Sequence, residues 1–306
     1  MTNIETRAAG LGASAMAGPL IMLLGMLMFA LNDAMGKWLV ASYGLGQVIL
    51  IRSVAALIIL APFLWQAGLR SITMIEQPWM QFSRVAFSTM EVFCFYYAVM
   101  YLPLADVMTY WLAAPIYVAA ASPLLLGERV GWRRWCAIAA GFVGVIITLE
   151  PSKAMFTLPA LISIVGSGAF AFMLLSGRGL RNTPDKTLVF FQVAGAALVG
   201  LAFAPYDWAP ISSGFDLALL GLLGIVAMAA HMLVNRALKI SDAATVAPLQ
   251  YTLLLWAVVF GWIFFEDVPR LGMLVGAMLI VASGLFIFFR ERQLQKRETV
   301  LPAVPE

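Results

Sequence analysis

Charge is scarce in this sequence. Of its 306 residues only 11% are charged, while 62% are hydrophobic. A soluble globular chain carries about 25% charged and about 45–50% apolar residues, so an ordinary water-solvated surface is excluded. Cysteine is nearly absent. Cys94 and Cys136 both lie inside apolar runs, which excludes a disulfide framework and reads as two small buried apolar side chains. Histidine occurs once, as His231. No metal-ligand cluster, Walker motif or nucleotide fingerprint is present, which excludes a primary pump. No metal, cofactor or nucleic-acid partner is expected. Nor is a cleaved secretory leader: Met1–Ala17 is short and mixed, and the apolar run after it is too long for a signal core.

What the sequence does have is long apolar runs. They fall at about 18–40, 46–66, 78–100, 104–126, 133–150, 157–177, 187–204, 215–237, 243–265 and 270–290. In lipid a stretch of this length must satisfy its own backbone hydrogen bonds, which predicts ten transmembrane helices in an all-α membrane protein. The basic residues set an orientation. With a cytoplasmic N-terminus, the inside segments hold Arg7, Arg70, Arg129, Arg133, Arg134, Arg178, Arg181, Lys186, Arg236, Lys239, Arg290, Arg292, Lys296 and Arg297. The outside keeps Lys37, Lys153 and Arg270. This asymmetry predicts that both termini are cytoplasmic.

The chain also repeats itself. Gly25, Phe29, Ala30, Gly36 and Lys37 are matched at one constant offset by Gly166, Phe170, Ala171, Gly177 and Arg178. Span four is followed by Glu128-Arg129-Val130 and span nine by Glu266-Asp267-Val268; Cys136 and Gly144 then meet Gly276 and Gly284. Five spans is an odd number, so the second copy enters the membrane inverted, a recurrent plan of secondary transporters. The expected units are a cytoplasmic segment 1–17, a first five-helix repeat 18–150, a second, inverted repeat 157–290 and a cytoplasmic tail 291–306.

Gly127-Glu128-Arg129-Val130 with the glycine-spaced Ala140–Gly144 segment, and its second copy, resemble the repeat of the EamA-type branch of the drug/metabolite transporter superfamily. The resemblance covers about residues 18–290. It implies a central cavity walled by spans one, three, four, six, eight and nine, and a bacterial inner-membrane carrier of small organic metabolites. Amino acids, aromatic or otherwise neutral, moved outward by alternating access, are the first expectation, because the aromatic-rich lining is similar in character to that of an aromatic amino-acid exporter in the family. Riboflavin or an adenosine-type compound is the alternative. Monomer and homodimer both stay open.

Small residues at four-residue spacing, Ala137-Gly141, Ala140-Gly144 and Gly272-Gly276, predict that spans five and ten pack backbone to backbone as scaffold. Polar groups within spans are costly, at least about 2.5 kcal/mol for a charge at the bilayer centre, and so mark function. The candidate substrate-binding residues are Asn32, Asp33, Glu91, Tyr97, Tyr110, Trp111, His231, Asn235, Tyr251 and Trp256. Glu91 and His231, deep and ionisable, are also the candidates for proton coupling. Asp33 and Lys37, at i and i+4, are expected to pair locally. Arg52 can snorkel to the outer interface. Arg84, Ser88 and Glu91 form one stripe along span three. Pro115 and Pro248 are expected to kink spans four and nine and free carbonyls. A membrane-embedded enzyme built on Gly166-Ser167-Gly168 and His231 is a remote reading. A channel would want a ring of like groups that the sequence lacks.

Overall fold

The computed structural model describes the backbone of residues 2–67, 77–114, 116–117, 120–121, 132–149, 157–180, 183–240 and 247–300, with side chains described for most of these from residue 17 onward. Ten α-helices lie among the described residues. They are α1 (Thr2–Val40), α2 (Leu45–Ala67), α3 (Pro78–Tyr101), α4 (Leu104–Leu112) and α5 (Trp132–Leu149), then α6 (Leu158–Gly179), α7 (Asp185–Phe203), α8 (Gly214–Ile240), α9 (Thr252–Phe265) and α10 (Leu271–Val300). There is no strand among the described residues. Four stretches cross a membrane by length and composition alone: Ala17–Val40, Leu45–Gln66, Lys186–Tyr206 and Gly214–Val234. Shorter apolar helices lie at Trp135–Ile147, Leu158–Met173, Leu249–Phe265 and Leu271–Phe286. Polar side chains enter the bundle on α3, which carries Gln81, Arg84 and Glu91, and on α4, which carries Asp106.

The outward surface is what lipid requires. Ile58, Leu198, Leu255 and Met278 are more than half exposed, and in water an apolar belt of that kind would be an aggregation site. Exposed Trp65, Trp79, Trp132, Trp208 and Trp262 lie near helix ends, where amphipathic rings favour the headgroup region.

Helix pairing shows the duplication directly. The most extensive pairs are α1 with α8, α3 with α6, α2 with α7 and α5 with α10; lesser ones include α2 with α8, α3 with α7, α1 with α9 and α4 with α6. Exchanging each helix for the one five positions away turns α1–α8 into α6–α3, α2–α8 into α7–α3 and α1–α9 into α6–α4. The pairs α2–α7 and α5–α10 map onto themselves. The bundle is thus two inverted five-helix repeats about a pseudo-twofold. The α5–α10 contact is close: a Cβ built on Gly144 would stand 2.9 Å from the Gly276 carbonyl oxygen. Only glycine allows that approach.

Two spans depart from unbroken helices. The α-helix of span four stops at Leu112; the Ala113 N–H turns back to the Tyr110 carbonyl (3.1 Å). The chain is helical again at Ala114, and the Ile116 N–H bonds the Ala113 carbonyl (2.9 Å); Pro115 itself lies outside the described residues. Span nine opens as a 3₁₀ turn, Ala247–Tyr251, around Pro248 before α9 begins. At the other extreme α1 and α10 run past their apolar stretches, to Thr2 and Val300.

Candidate functional site

One end of the bundle holds the α1–α2, α3–α4, α7–α8 and α9–α10 connections, and it is bound shut across the repeats. Lys37 of α1 donates to Asp267 Oδ2 (2.6 Å) and to the Leu102 carbonyl (3.3 Å), and its Nζ lies 4.6 Å from the Phe265 ring centroid. The Leu104 N–H also points to Asp267 Oδ2 (3.4 Å). Asp106 of α4, almost fully buried, pairs with Arg270. Tyr43 donates to Asp216 Oδ2 (2.6 Å) and bonds Ser212 Oγ (2.9 Å). Gln47 grips the Ala209 backbone twice, Nε2 to the carbonyl (2.8 Å) and Oε1 from the N–H (3.0 Å). Apart from the Lys37–Leu102 bond, each of these links joins a residue of the first repeat to one of the second.

The backbone builds this closure at some cost. Glu266, just after α9, has φ 56° in the left-handed region, where a residue with a Cβ is strained by about 1–2 kcal/mol. The turn lets the Asp267 N–H reach the Gly261 carbonyl (3.1 Å), a helix-ending arrangement usually given to glycine. It carries the Asp267 side chain back over the bundle, onto Lys37.

Below this closure lies a buried polar cluster. Asn32 and Asp33 on α1 are buried, and Asn32 Nδ2 donates to Asp33 Oδ1 (3.0 Å) and to the Tyr96 hydroxyl oxygen (3.4 Å). Arg52 Nη1 of α2 donates to the same hydroxyl (2.6 Å). Tyr96 sits fully buried on α3, its ring against Gly36, where a Cβ would stand 2.0 Å from Cε1. Any side chain at position 36 would displace the ring and with it the acceptor that Arg52 and Asn32 share. One turn deeper on α3, Glu91 Oε1 accepts the indole N–H of Trp111 on α4 (2.8 Å). Phe95 stands edge-on to both Trp111 (5.3 Å) and Tyr96 (5.4 Å). Arg52 acts electrostatically on Asp33, Glu91 and His231, and Glu91 on Asp33. Two carboxyl groups, one guanidinium and several aromatic rings therefore share a small volume. Asn32 Oδ1 is buried there with no hydrogen-bond partner among the described residues, an acceptor that costs free energy until something donates to it.

Of the residues singled out in the sequence, Asn32, Asp33, Glu91 and Trp111 come together here. Tyr110 is buried on α4, within electrostatic range of Asp106 and Arg270 and so nearer the closure. His231 stands edge-on to Phe29 at the α1–α8 contact (4.7 Å). Tyr97 packs on exposed Tyr101 (5.1 Å). The Tyr251 hydroxyl is turned to α10, against Gly284. Trp256 stacks on Phe260 (5.8 Å) and borders a groove of about 370 Å³ with Leu23, Leu27 and Leu255. The Asn235 side chain lies outside the described residues.

Three expectations need correction. Lys37 does not pair with Asp33 four residues away; its partner is Asp267, because the α9–α10 turn offers a better-placed carboxylate across the repeat boundary. Arg52 does not snorkel outward; Tyr96 and the nearby carboxyl groups hold it inward. Cys136 is exposed on the surface rather than buried. Tyr96 and Arg52 are the members of the cluster that sequence reasoning undervalued. Ser167 donates to the Ile164 carbonyl of its own helix (3.0 Å), an ordinary way for a buried helical serine to be satisfied.

The family model described as "EamA-like transporter family" matches residues 16–150 and 157–289. Similar proteins include the S-adenosylmethionine uptake transporter of Rickettsia felis, 24% identical over 90% of this chain and 94% of that one. The riboflavin transporter of Rhizobium johnstonii is 28% identical over 92% and 94%. The pseudopaline exporter of Pseudomonas aeruginosa is 24% identical over 87% and 94%. A solved crystal structure superposes with TM-score 0.62 at 17% identity, covering 92% of this chain and 99% of that one, a likeness of fold.

Proposed function

Because the chain belongs to the EamA-like transporter family, we propose that it carries an amino acid, or a metabolite bearing an amino-acid group and an aromatic ring, by alternating access. Transport of a small molecule across a membrane is the activity of the family, and no enzyme is among the named relatives cited. The observation that supports the substrate class is the cluster itself. Asp33 and Glu91 supply negative charge, Arg52 supplies positive charge, and Trp111, Phe95 and Tyr96 supply ring surface. A zwitterion matches that pattern: its carboxylate suits the planar guanidinium, its ammonium suits Asp33, and a ring suits the indole. S-adenosylmethionine, in the name of one relative, combines an amino-acid group with a heteroaromatic ring.

In this reading the inter-repeat closure is the outer gate. The excess of basic residues at the opposite end supports an orientation with both termini in the cytoplasm and the chain in a bacterial inner membrane. Opening the gate means parting Lys37 from Asp267, Asp106 from Arg270 and Tyr43 from Asp216, so that one repeat rocks against the other around the cluster. Export is the proposed direction for an amino acid made inside the cell.

Thermal unfolding of the purified protein with aromatic amino acids, S-adenosylmethionine and riboflavin tests the substrate class. A ligand at a hundred times its Kd stabilises the folded state by about 2.7 kcal/mol. The zwitterionic compounds should raise the midpoint, and Arg52→Gln and Asp33→Asn should abolish the rise. A rise with riboflavin alone would favour the second reading, a flat heteroaromatic cargo, for which the riboflavin transporter among the relatives speaks.

A further inference from the structure

Away from the cluster, at the arginine-rich end, the first turn of α5 and the later turns of α10 enclose a groove of about 450 Å³. It is lined by Trp132, Arg133, Cys136, Phe286, Arg290 and Gln293. Arg133 comes from α5; Arg290 and Gln293 lie one turn apart on α10. Neither guanidinium meets a carboxylate among the described residues; the one recorded partner is the Trp132 ring, 5.5 Å from the Arg133 guanidinium carbon. Two like charges held over one groove, beside the positive end of a helix, raise the potential there. Nothing in transport at the buried cluster uses them.

The rest of the groove is apolar. Phe286 and Trp132 are exposed, and the outward faces of both helices continue toward the membrane centre as exposed apolar residues, Phe142 and Ile146 on α5 and Met278 on α10. A ligand with a phosphate at one end and hydrocarbon at the other would satisfy both halves. Phosphate oxygens match guanidinium forks two at a time, and basic pockets between helices at the cytoplasmic side suit the headgroups of anionic lipids. The Gly144–Gly276 contact brings α5 and α10 close together farther along the same pair of helices.

We propose that this groove binds the phosphate of an anionic phospholipid, gripped by Arg133 and Arg290 with the Gln293 amide donating to a headgroup oxygen. Trp132 marks the interface, and the acyl chains lie along Phe286, Met278 and Ile146. The single negative charge of the bound lipid offsets half of the charge of the two arginines, and the lipid clamps the basic ends of the two scaffold helices. Its role is independent of which metabolite the carrier moves.

Native mass spectrometry of the delipidated protein tests this, with phosphatidylglycerol, phosphatidylcholine and inorganic phosphate as separate probes. The expected result is retention of one phosphatidylglycerol at least tenfold tighter than phosphatidylcholine. Arg133→Gln/Arg290→Gln should lose that preference, while Arg133→Lys/Arg290→Lys keeps part of it. Equal retention of the two lipids by the wild type would overturn the proposal, and needs no variant. Binding unchanged in the glutamine variant would also overturn it. Displacement of the lipid by inorganic phosphate at equal concentration would overturn the lipid as occupant and assign the groove to the free anion.

Discussion

Lys37 and Asp267, 230 residues apart in the chain, meet Nζ to Oδ2 at 2.6 Å and tie the first repeat to the second. Both side chains are largely shielded, 14% and 22% exposed, so the pair is neither a solvent-screened surface contact nor a fully desolvated one. A hydrogen bond to a charged group contributes about 1.5–3 kcal/mol. Asp267→Asn keeps the shape and removes the charge. In a background without Cys94 and Cys136, a cysteine at Ala34 should then be labelled roughly tenfold faster by a membrane-impermeant thiol reagent, since about 1.4 kcal/mol is a factor of ten in the open population. Unchanged labelling would mean that the pair does not hold the gate.

The duplication makes this pair one-sided. The positions matched by sequence to Lys37 and Asp267 are Arg178 and Arg129, two like charges where the outer end has opposite ones. Their side chains lie outside the described residues, so the prediction rests on charge sign. Arg129→Asp gives the inner end opposite charges at those positions and should slow turnover in vesicles while insertion stays intact. Adding Arg178→Asp should restore the rate. A single variant as fast as the wild type would show that gate charges do not set the balance between conformations.

Packing against Tyr96 gives a stability test. Gly36→Ala drives a methyl into the Tyr96 ring. Overpacking of a tight core costs about 1–3 kcal/mol, and here it also moves the hydroxyl that Arg52 and Asn32 share. The melting midpoint should fall by several degrees and substrate affinity with it. Pairing Gly36→Ala with Tyr96→Phe, which removes the hydroxyl and leaves the ring, should not recover binding.

How far the sequence carries toward this picture depends on the range of the interaction. The ten helices were legible because each apolar run of about 20 residues has one solution in lipid, and the inversion followed from counting five spans per repeat. Pro248 marked the span that holds a 3₁₀ turn, while Pro115 lies outside the described residues. Asn32, Asp33 and Glu91 stood out as polar groups in apolar surroundings, and Trp111 as an aromatic ring on a helix that the family resemblance places at the cavity. Tyr96 was hidden among Phe93, Phe95 and Tyr97, since helical phase alone does not say which of four adjacent aromatic rings faces a neighbour. Arg52 was masked by its ability to snorkel. Lys37 was misjudged because Asp33 offered a partner four residues away, whereas the pairing with Asp267 depends on a left-handed Glu266 that no local pattern announces.

Proton coupling is predicted to run through Glu91, which shares the cluster with Asp33 and Arg52. An imposed pH gradient should drive uphill accumulation of substrate in wild-type vesicles. Glu91→Gln should still exchange substrate across the membrane without accumulating it. His231→Ala, which alters the packing on Phe29, should retain accumulation. Wild-type flux indifferent to the gradient would make the protein a facilitator.

On the proposed function, a zwitterionic, aromatic-bearing metabolite is carried at the cluster of Asp33, Arg52, Glu91 and Trp111. Counterflow measures it most directly: vesicles preloaded with unlabelled aromatic amino acid or S-adenosylmethionine are given a trace of the same labelled compound outside. Transient accumulation of label by the wild type, at least tenfold weaker in Arg52→Gln and Trp111→Ala with protein insertion equal, is the predicted result. Counterflow that persists undiminished in both variants, or that occurs with riboflavin and with no zwitterion, would contradict the account.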